Sequence, residues 1–211
     1  MSATRLPETP AATGESALSE EDQARADLYA LLARLFYAGP DRPLLDSLAG
    51  HENMFGADDV LLGQAWRALA RAARDADPEA LRLEYDSIFV GVGKAQVTLY
   101  CSHHLTPTGR ERIVVALRDE LRDLGLERKG ASHEPEDHVA VLCEMMRHLV
   151  SRGSDEHAIG GQKQFFMRYI SGAYIPLTDE ILSAVATQFY KDVARVMRVF
   201  FDVESQSFEM V

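Results

Sequence analysis

Cysteine and long apolar runs are scarce in this 211-residue sequence. The two cysteines, Cys101 and Cys143, fit neither a CxxC pair nor the spacing of zinc ligands, which excludes a disulfide framework and a zinc finger. Because Cys143 lies in an apolar stretch with helical spacing, we expect it to be a small buried core residue. No stretch approaches the ~18 consecutive apolar residues of a membrane-spanning helix, so we expect no membrane insertion.

The sequence also contains fewer basic than acidic residues. The 22 Lys and Arg residues are outnumbered by 33 Asp and Glu residues, and the formal net charge is −11. This balance argues against nucleic-acid binding, which requires a basic surface, and it favours a positively charged partner. Residues 1–18 are polar and lack the apolar segment of a secretory signal, so we expect a poorly ordered tail there and a cytoplasmic protein.

The alternating pattern of β-branched residues that marks strands is missing as well, and apolar residues recur instead with helical spacing. This pattern predicts an all-α, single-domain helical bundle over residues 19–203, followed by a C-terminal tail at 204–211. We expect about eight helices, near residues 19–37, 41–48, 58–74, 77–89, 108–125, 134–149, 155–170 and 178–202. In the last of these, Val185 is expected to be buried, and the longest irregular segment is Gly91–Pro107.

The densest group of metal-binding and proton-transferring side chains is the stretch Ser132–His138, SHEPEDH. It does not fit the zinc-protease motif HExxH, because His133 and His138 are five residues apart with Pro135 between them. The simplest interpretation is a helix whose first turn contains the three carboxylates and a buried His138. Two histidines and three carboxylates nevertheless exceed what a helix start requires.

Other catalytic motifs are incomplete. The stretch Gly91–Lys94, GVGK, is not a phosphate-binding loop, because Ile88 and Ala95 stand where that motif needs Gly and Ser or Thr. A serine–histidine dyad is not defined by adjacent loop residues alone. A metal- or nucleotide-dependent helical enzyme remains as an alternative, and it would use His103, His104, His133, Asp137 and His138.

Four stretches resemble one protein family. EPEDH at 134–138, followed by an apolar helix, resembles the E-P-x-D-H signature of the TorD/DmsD/NarJ-type chaperones, which are redox-enzyme maturation proteins of molybdoenzymes. The stretches at 25–49, 84–91 and 99–105 resemble further family motifs in the same order. The sequence departs from the family at Leu99, Ile88 and Tyr169, where proline, leucine and histidine are usual.

The resemblance implies a chaperone rather than an enzyme, with no catalytic residue, metal or cofactor. Such a protein binds the N-terminal twin-arginine signal peptide of a molybdenum-containing oxidoreductase in the cytoplasm and holds it until cofactor insertion and export or assembly. The partner is then the signal peptide and the catalytic subunit of that oxidoreductase. The sequence does not indicate which oxidoreductase this is. Both a monomer and a domain-swapped homodimer of this protein are compatible with the sequence.

The resemblance also implies a peptide-binding site. Carboxylates would bind the two guanidinium groups, and an apolar groove would bind the segment that follows them. The implied contact residues are Tyr85, Ile88, Phe89, Tyr100, Ser102, His104, Asp137 and His138, while Glu134 and Pro135 shape the entry to the helix. We expect the acidic helix start and the aromatic residues to lie side by side. Two alternatives remain. Tyr85, Ile88 and Phe89 form an apolar stripe at 85–89 that can be ordinary core, and Asp137 can be a helix cap.

Overall fold

A computed structural model describes residues 18–55, 60–91, 94–125, 135–185 and 188–210. Within these ranges it contains α-helices, one π-helical turn and no β-strand, which confirms the all-α class. The helices are α1 (Glu20–Tyr37), α2 (Arg42–Gly50), α3 (Val60–Asp75), α4 (Pro78–Tyr85), α5 (Cys101–Leu105), α6 (Arg110–Asp123), α7 (Val139–Ser151), α8 (Glu156–Tyr169), α9 (Tyr174–Ser183) and α10 (Phe189–Met210). None of these helices combines the length and apolarity that crossing a bilayer requires.

Several helices begin at the cap residues that the sequence indicates. Ser19 accepts a hydrogen bond from the Asp22 N–H at 3.0 Å, and Asp41 accepts one from Leu44 at 3.1 Å. Asp77 caps α4 in the same way, with proline in the first turn of that helix. These starts match prediction because the bond spans only three residues.

The core lies between α1 and α7, which pack along each other, and α10, which packs against α3 and α9. Large aromatic side chains fill it, including Tyr29, Phe36 and Phe201. Both cysteines are buried free thiols, which confirms the prediction for Cys143. Burial raises the pKa of each thiol, so neither is poised to act as a nucleophile.

The segment from residue 174 to the C-terminus differs from the prediction in three ways. It forms two helices rather than one, and Val185, just after α9, is 94% exposed instead of buried. Thr178 does not start a helix, because its hydroxyl donates to the Tyr174 carbonyl at 2.7 Å inside α9. The predicted tail at 204–211 is also wrong, since α10 continues to Met210 with Phe208 buried. Most of the predicted N-terminal tail, residues 1–17, lies outside the described residues.

The segment predicted to be irregular, Gly91–Pro107, contains the short helix α5. A π-helical turn at Asp86–Val90 leads into it, and the Ile88 carbonyl accepts hydrogen bonds from the N–H groups of residues 96 and 97. Gly91 has φ +67°, and a Cβ there would overlap the Lys94 carbonyl, so only glycine fits without strain. These two hydrogen bonds therefore anchor the described part of the segment 91–107 to the π-helical turn that precedes it.

Candidate functional site

The stretch before α7 is a turn rather than the first turn of the helix. Residues 136–138 precede α7, which begins at Val139 with His138 as its N-cap. The His138 N–H donates to the Pro135 carbonyl at 3.1 Å, and its Nδ1 accepts from the Ala140 N–H at 3.2 Å. The imidazole thus takes the capping role predicted for carboxylates. His138 faces inward as expected and is 4% exposed, while Glu134 lies outside the described residues.

This turn pairs with the stretch that leads into α5. Tyr100 and His138 form an isolated antiparallel bridge, in which the Cys101 N–H donates to the Asp137 carbonyl at 2.8 Å. The Val139 N–H donates to the Leu99 carbonyl at the same distance. The Tyr100 and His138 rings also meet edge to face, with centroids 5.6 Å apart. Two stretches that are separate in the sequence, 99–105 and 135–138, therefore meet where each enters a helix.

Asp137 is a buried carboxylate with a defined orientation. It is 4% exposed, and its Oδ2 accepts a 2.5 Å hydrogen bond from the Ser102 hydroxyl, which is buried as well. Because a buried charge without partners is costly, this bond and the bridge beside it hold the carboxylate in place. Asp137 is not the cap of α7, since His138 fills that position.

A cavity of about 840 Å³ opens beside Asp137, between α5, α6 and the turn before α7. Its polar side chains include two arginines and three carboxylates, and its apolar part is formed by two valines, a tyrosine and a proline. The lining residues are Thr98, Tyr100, Ser102, His103, Arg110, Glu111, Val114, Val115, Arg118, Pro135, Glu136 and Asp137. Tyr100 and Val115 are 38% and 53% exposed, so the apolar wall is open to solvent.

Glu136 forms a bidentate ion pair at the cavity. The Arg118 Nε donates to Oε1 and the Arg118 Nη2 to Oε2, each at 3.0 Å. The Glu136 side chain is 13% exposed, whereas that of Arg118 is 52% exposed. The hydrogen bond to Glu136 raises the pKa of Arg118. The cavity thus contains a carboxylate already arranged to bind a guanidinium group.

Of the residues predicted beside this acidic turn, Tyr100 meets His138, whereas Tyr85, Ile88 and Phe89 pack in or against the core. The Tyr85 hydroxyl donates to the carbonyls of Phe36 and Tyr37, at 3.0 and 3.1 Å, and Ile88 is fully buried. The Phe89 ring packs against Tyr85 within the same cluster. None of the stripe residues at 85, 88 and 89 lines the cavity. The stripe packs as core, which is the alternative that the sequence left open.

The histidines near the cavity point to different partners. His104 Nε2 lies 2.9 Å from the Thr98 carbonyl, and its side chain is 2% exposed. His103 lines the cavity, and burial, together with the nearby Arg110, lowers its pKa. Among the described residues, no group of three His, Cys, Asp or Glu side chains is arranged to hold a metal ion. His133, which the enzyme alternative includes, lies outside those residues.

Sequence analysis missed the contribution of α6. One face of this helix supplies Arg110, Glu111, Val114, Val115 and Arg118 to the cavity. The sequence predicted a helix near residues 108–125 but assigned none of its residues to the site. A detectable signal was Val115, which is apolar and lies between charged residues at i−4 and i+3.

Known proteins match this chain along most of its length. Residues 56–177, which include every residue that lines the cavity, match the family model for the nitrate reductase delta subunit. The chaperone protein TorD of Shewanella loihica is 24% identical over 205 residues, covering 88% of this chain and 93% of that protein. A crystallised protein of Archaeoglobus fulgidus, assigned to redox enzyme maturation, superimposes with a TM-score of 0.57 at 18% identity. That match covers 93% of this chain and 99% of the other, and at this identity it supports the fold.

Proposed function

We propose a function from the premise that this chain belongs to the nitrate reductase delta subunit family. That membership confirms the family predicted from the E-P-x-D-H signature and its accompanying motifs. The chain is accordingly a chaperone of molybdoenzyme maturation and not an enzyme. Its partner is a molybdenum-containing oxidoreductase.

The specific activity that we propose is binding of the client's N-terminal twin-arginine signal peptide, in the cytoplasm, until the cofactor is inserted. The binding site is the cavity between α5, α6 and the turn before α7. The observation that carries this proposal is Glu136, which already holds a guanidinium group in bidentate geometry. Asp137 follows it directly and offers a second carboxylate at the same cavity. Two consecutive carboxylates suit two consecutive arginines.

The apolar wall of the cavity suits the segment that follows the arginines. Val114, Val115, Tyr100 and Pro135 line it, and the open part of this surface would be buried by a bound peptide. A volume of about 840 Å³ falls in the range of small-ligand sites, which is about 300–1,000 Å³. It therefore accommodates the arginine pair and a few apolar residues rather than a whole signal peptide.

The residues predicted from the sequence take different parts in this proposal. Tyr100, Ser102 and Asp137 contact or orient the peptide directly. His104 and His138 are positioning residues: His104 fixes the backbone of Thr98, which lines the cavity, and His138 caps α7 directly after Asp137. The stripe at 85–89 supports the site only through the packing of the core.

Calorimetric titration with signal peptides of molybdoenzymes encoded beside this gene tests the proposal. We expect micromolar or tighter binding, weaker binding when both arginines are replaced by lysine, and a loss of about ten- to hundredfold in Glu136→Gln. This loss corresponds to the ~1.5–3 kcal/mol of a hydrogen bond to a charged group.

The matched control is Glu144→Gln on α7, because Glu144 is an exposed carboxylate that pairs with Arg147 at 2.8 Å and does not line the cavity. It removes the same charge, and we expect binding like that of the unchanged protein. Absence of heat with every peptide, or equal losses in the two variants, would contradict the proposal.

A further inference from the structure

Arg118 binds the Glu136 carboxylate with the same bidentate geometry that an arginine of a bound peptide would adopt. Two N–H···O bonds of 3.0 Å join the guanidinium to both carboxylate oxygens. The two oxygens of a carboxylate can accept such a bidentate pair of hydrogen bonds from only one guanidinium group at a time. An incoming guanidinium therefore reaches the same two oxygens only after Arg118 has left them.

The two partners of this ion pair differ in exposure, and the difference favours exchange. Arg118 extends from α6 with half of its side chain in solvent, so it regains water when it leaves. Glu136 is mostly buried and would lose both hydrogen bonds of this ion pair if Arg118 left without replacement. Release of Arg118 without replacement is thus unfavourable, whereas replacement by another guanidinium conserves both hydrogen bonds.

We propose that Arg118 is an intramolecular competitor of the client's signal peptide: it fills the Glu136 position in the free chaperone and is displaced when an arginine of the peptide binds. This inference rests on the function proposed above. Competition reduces the apparent affinity in proportion to the fraction of molecules in which Arg118 has left Glu136. It also keeps the carboxylate paired whenever no client is bound, and it returns the site to that state on release.

The direct test is titration of Arg118→Gln with a synthetic peptide that contains two consecutive arginines followed by a short segment rich in leucine and alanine. We expect binding about two- to fivefold tighter than that of the unchanged protein, which is the range set by an exposed ion pair. Weaker binding, as expected if Arg118 itself held the peptide, would overturn the inference.

Arg122→Gln is the matched control. Arg122 lies one turn further along α6, is exposed, pairs with Asp119 at 2.8 Å and does not line the cavity. Both variants remove one positive charge from the same helix. We expect Arg122→Gln to bind like the unchanged protein, and equal tightening in both variants would mean that net charge, not competition, sets the affinity.

A second measurement separates this inference from the proposed function. In a Glu136→Gln background, Arg118→Gln should no longer tighten binding, because the shared carboxylate has gone. If Glu136→Gln weakens binding but Arg118→Gln alone does not strengthen it, competition is excluded and the peptide site remains. If no variant binds any peptide, both proposals are wrong.

Discussion

Two Arg–Glu pairs of the same geometry occupy different environments in this protein. Arg25 on α1 donates two hydrogen bonds to Glu204 on α10, at 2.7 and 2.9 Å, as Arg118 does to Glu136. The Arg25 and Glu204 side chains are only 18% and 3% exposed. The Tyr29 hydroxyl also donates to Glu204, and Gln162 accepts from Arg25.

Burial and additional hydrogen-bond partners determine whether an ion pair is fixed in the fold or can exchange a partner. Burial alone would lower the pKa of Arg25, but the hydrogen bonds and charge of Glu204 raise it. Glu204 also accepts from the Tyr29 hydroxyl, and Arg25 also donates to Asp22 and Gln162, so both members of that pair have further partners. The Arg118 pair has an exposed cation at an open cavity, and we infer that it can exchange. We infer that the Arg25–Glu204 pair anchors α10, whereas the Arg118–Glu136 pair lies at the proposed peptide-binding site.

The largest expected effect is on the anchoring pair. Glu204→Ala should reduce the free energy of unfolding by about 3–5 kcal/mol, because it leaves a mostly buried Arg25 without its carboxylate. Urea unfolding followed by circular dichroism measures this loss. Glu209→Ala, which removes an exposed carboxylate from the same helix, is the control and should change stability little. Equal stability of both variants would show that the buried pair does not anchor α10.

A smaller effect distinguishes the two pairs under the same substitution. Arg25→Lys should destabilise the protein by about 1–3 kcal/mol, because lysine cannot reproduce the fork and leaves buried acceptors unsatisfied. Arg118→Lys should leave the unfolding midpoint unchanged, because the Arg118 side chain is half exposed and an exposed cation contributes little to stability. Thermal unfolding of the two variants side by side is the measurement. Similar destabilisation in both variants would show that burial does not distinguish the two ion pairs.

The smallest effect concerns pH. Burial and Arg110 lower the pKa of His103 at the cavity from its usual value of about 6.5, so the neutral imidazole predominates at that pH and above. Affinity for the cationic peptide should be constant above that pH and fall below it, as His103 gains a positive charge. Titrations across this range should show a smaller fall in His103→Gln. An identical fall in that variant would assign the effect to another group.

The helices and their starts could be predicted from the sequence because they depend on short-range interactions. Ser19, Asp41 and Asp77 cap helices whose N–H groups lie three residues away. The turn before α7 was mispredicted, since a histidine caps it and Tyr100 pairs with it across about forty residues. The end of α10 was mispredicted for a similar reason: Glu204 is stabilised in the helix by Arg25, near the other end of the chain.

The amino-acid sequence by itself determined the all-α class, most helix positions and the motifs that carry the family resemblance. These features reside in local spacing, in caps and in composition. Only the tertiary structure decided that α6, rather than the aromatic stripe at 85–89, lines the cavity beside Asp137. It also decided which arginine meets Glu136 and which meets Glu204. Helix periodicity shows which residues share a face, but the packing of distant helices determines what that face meets.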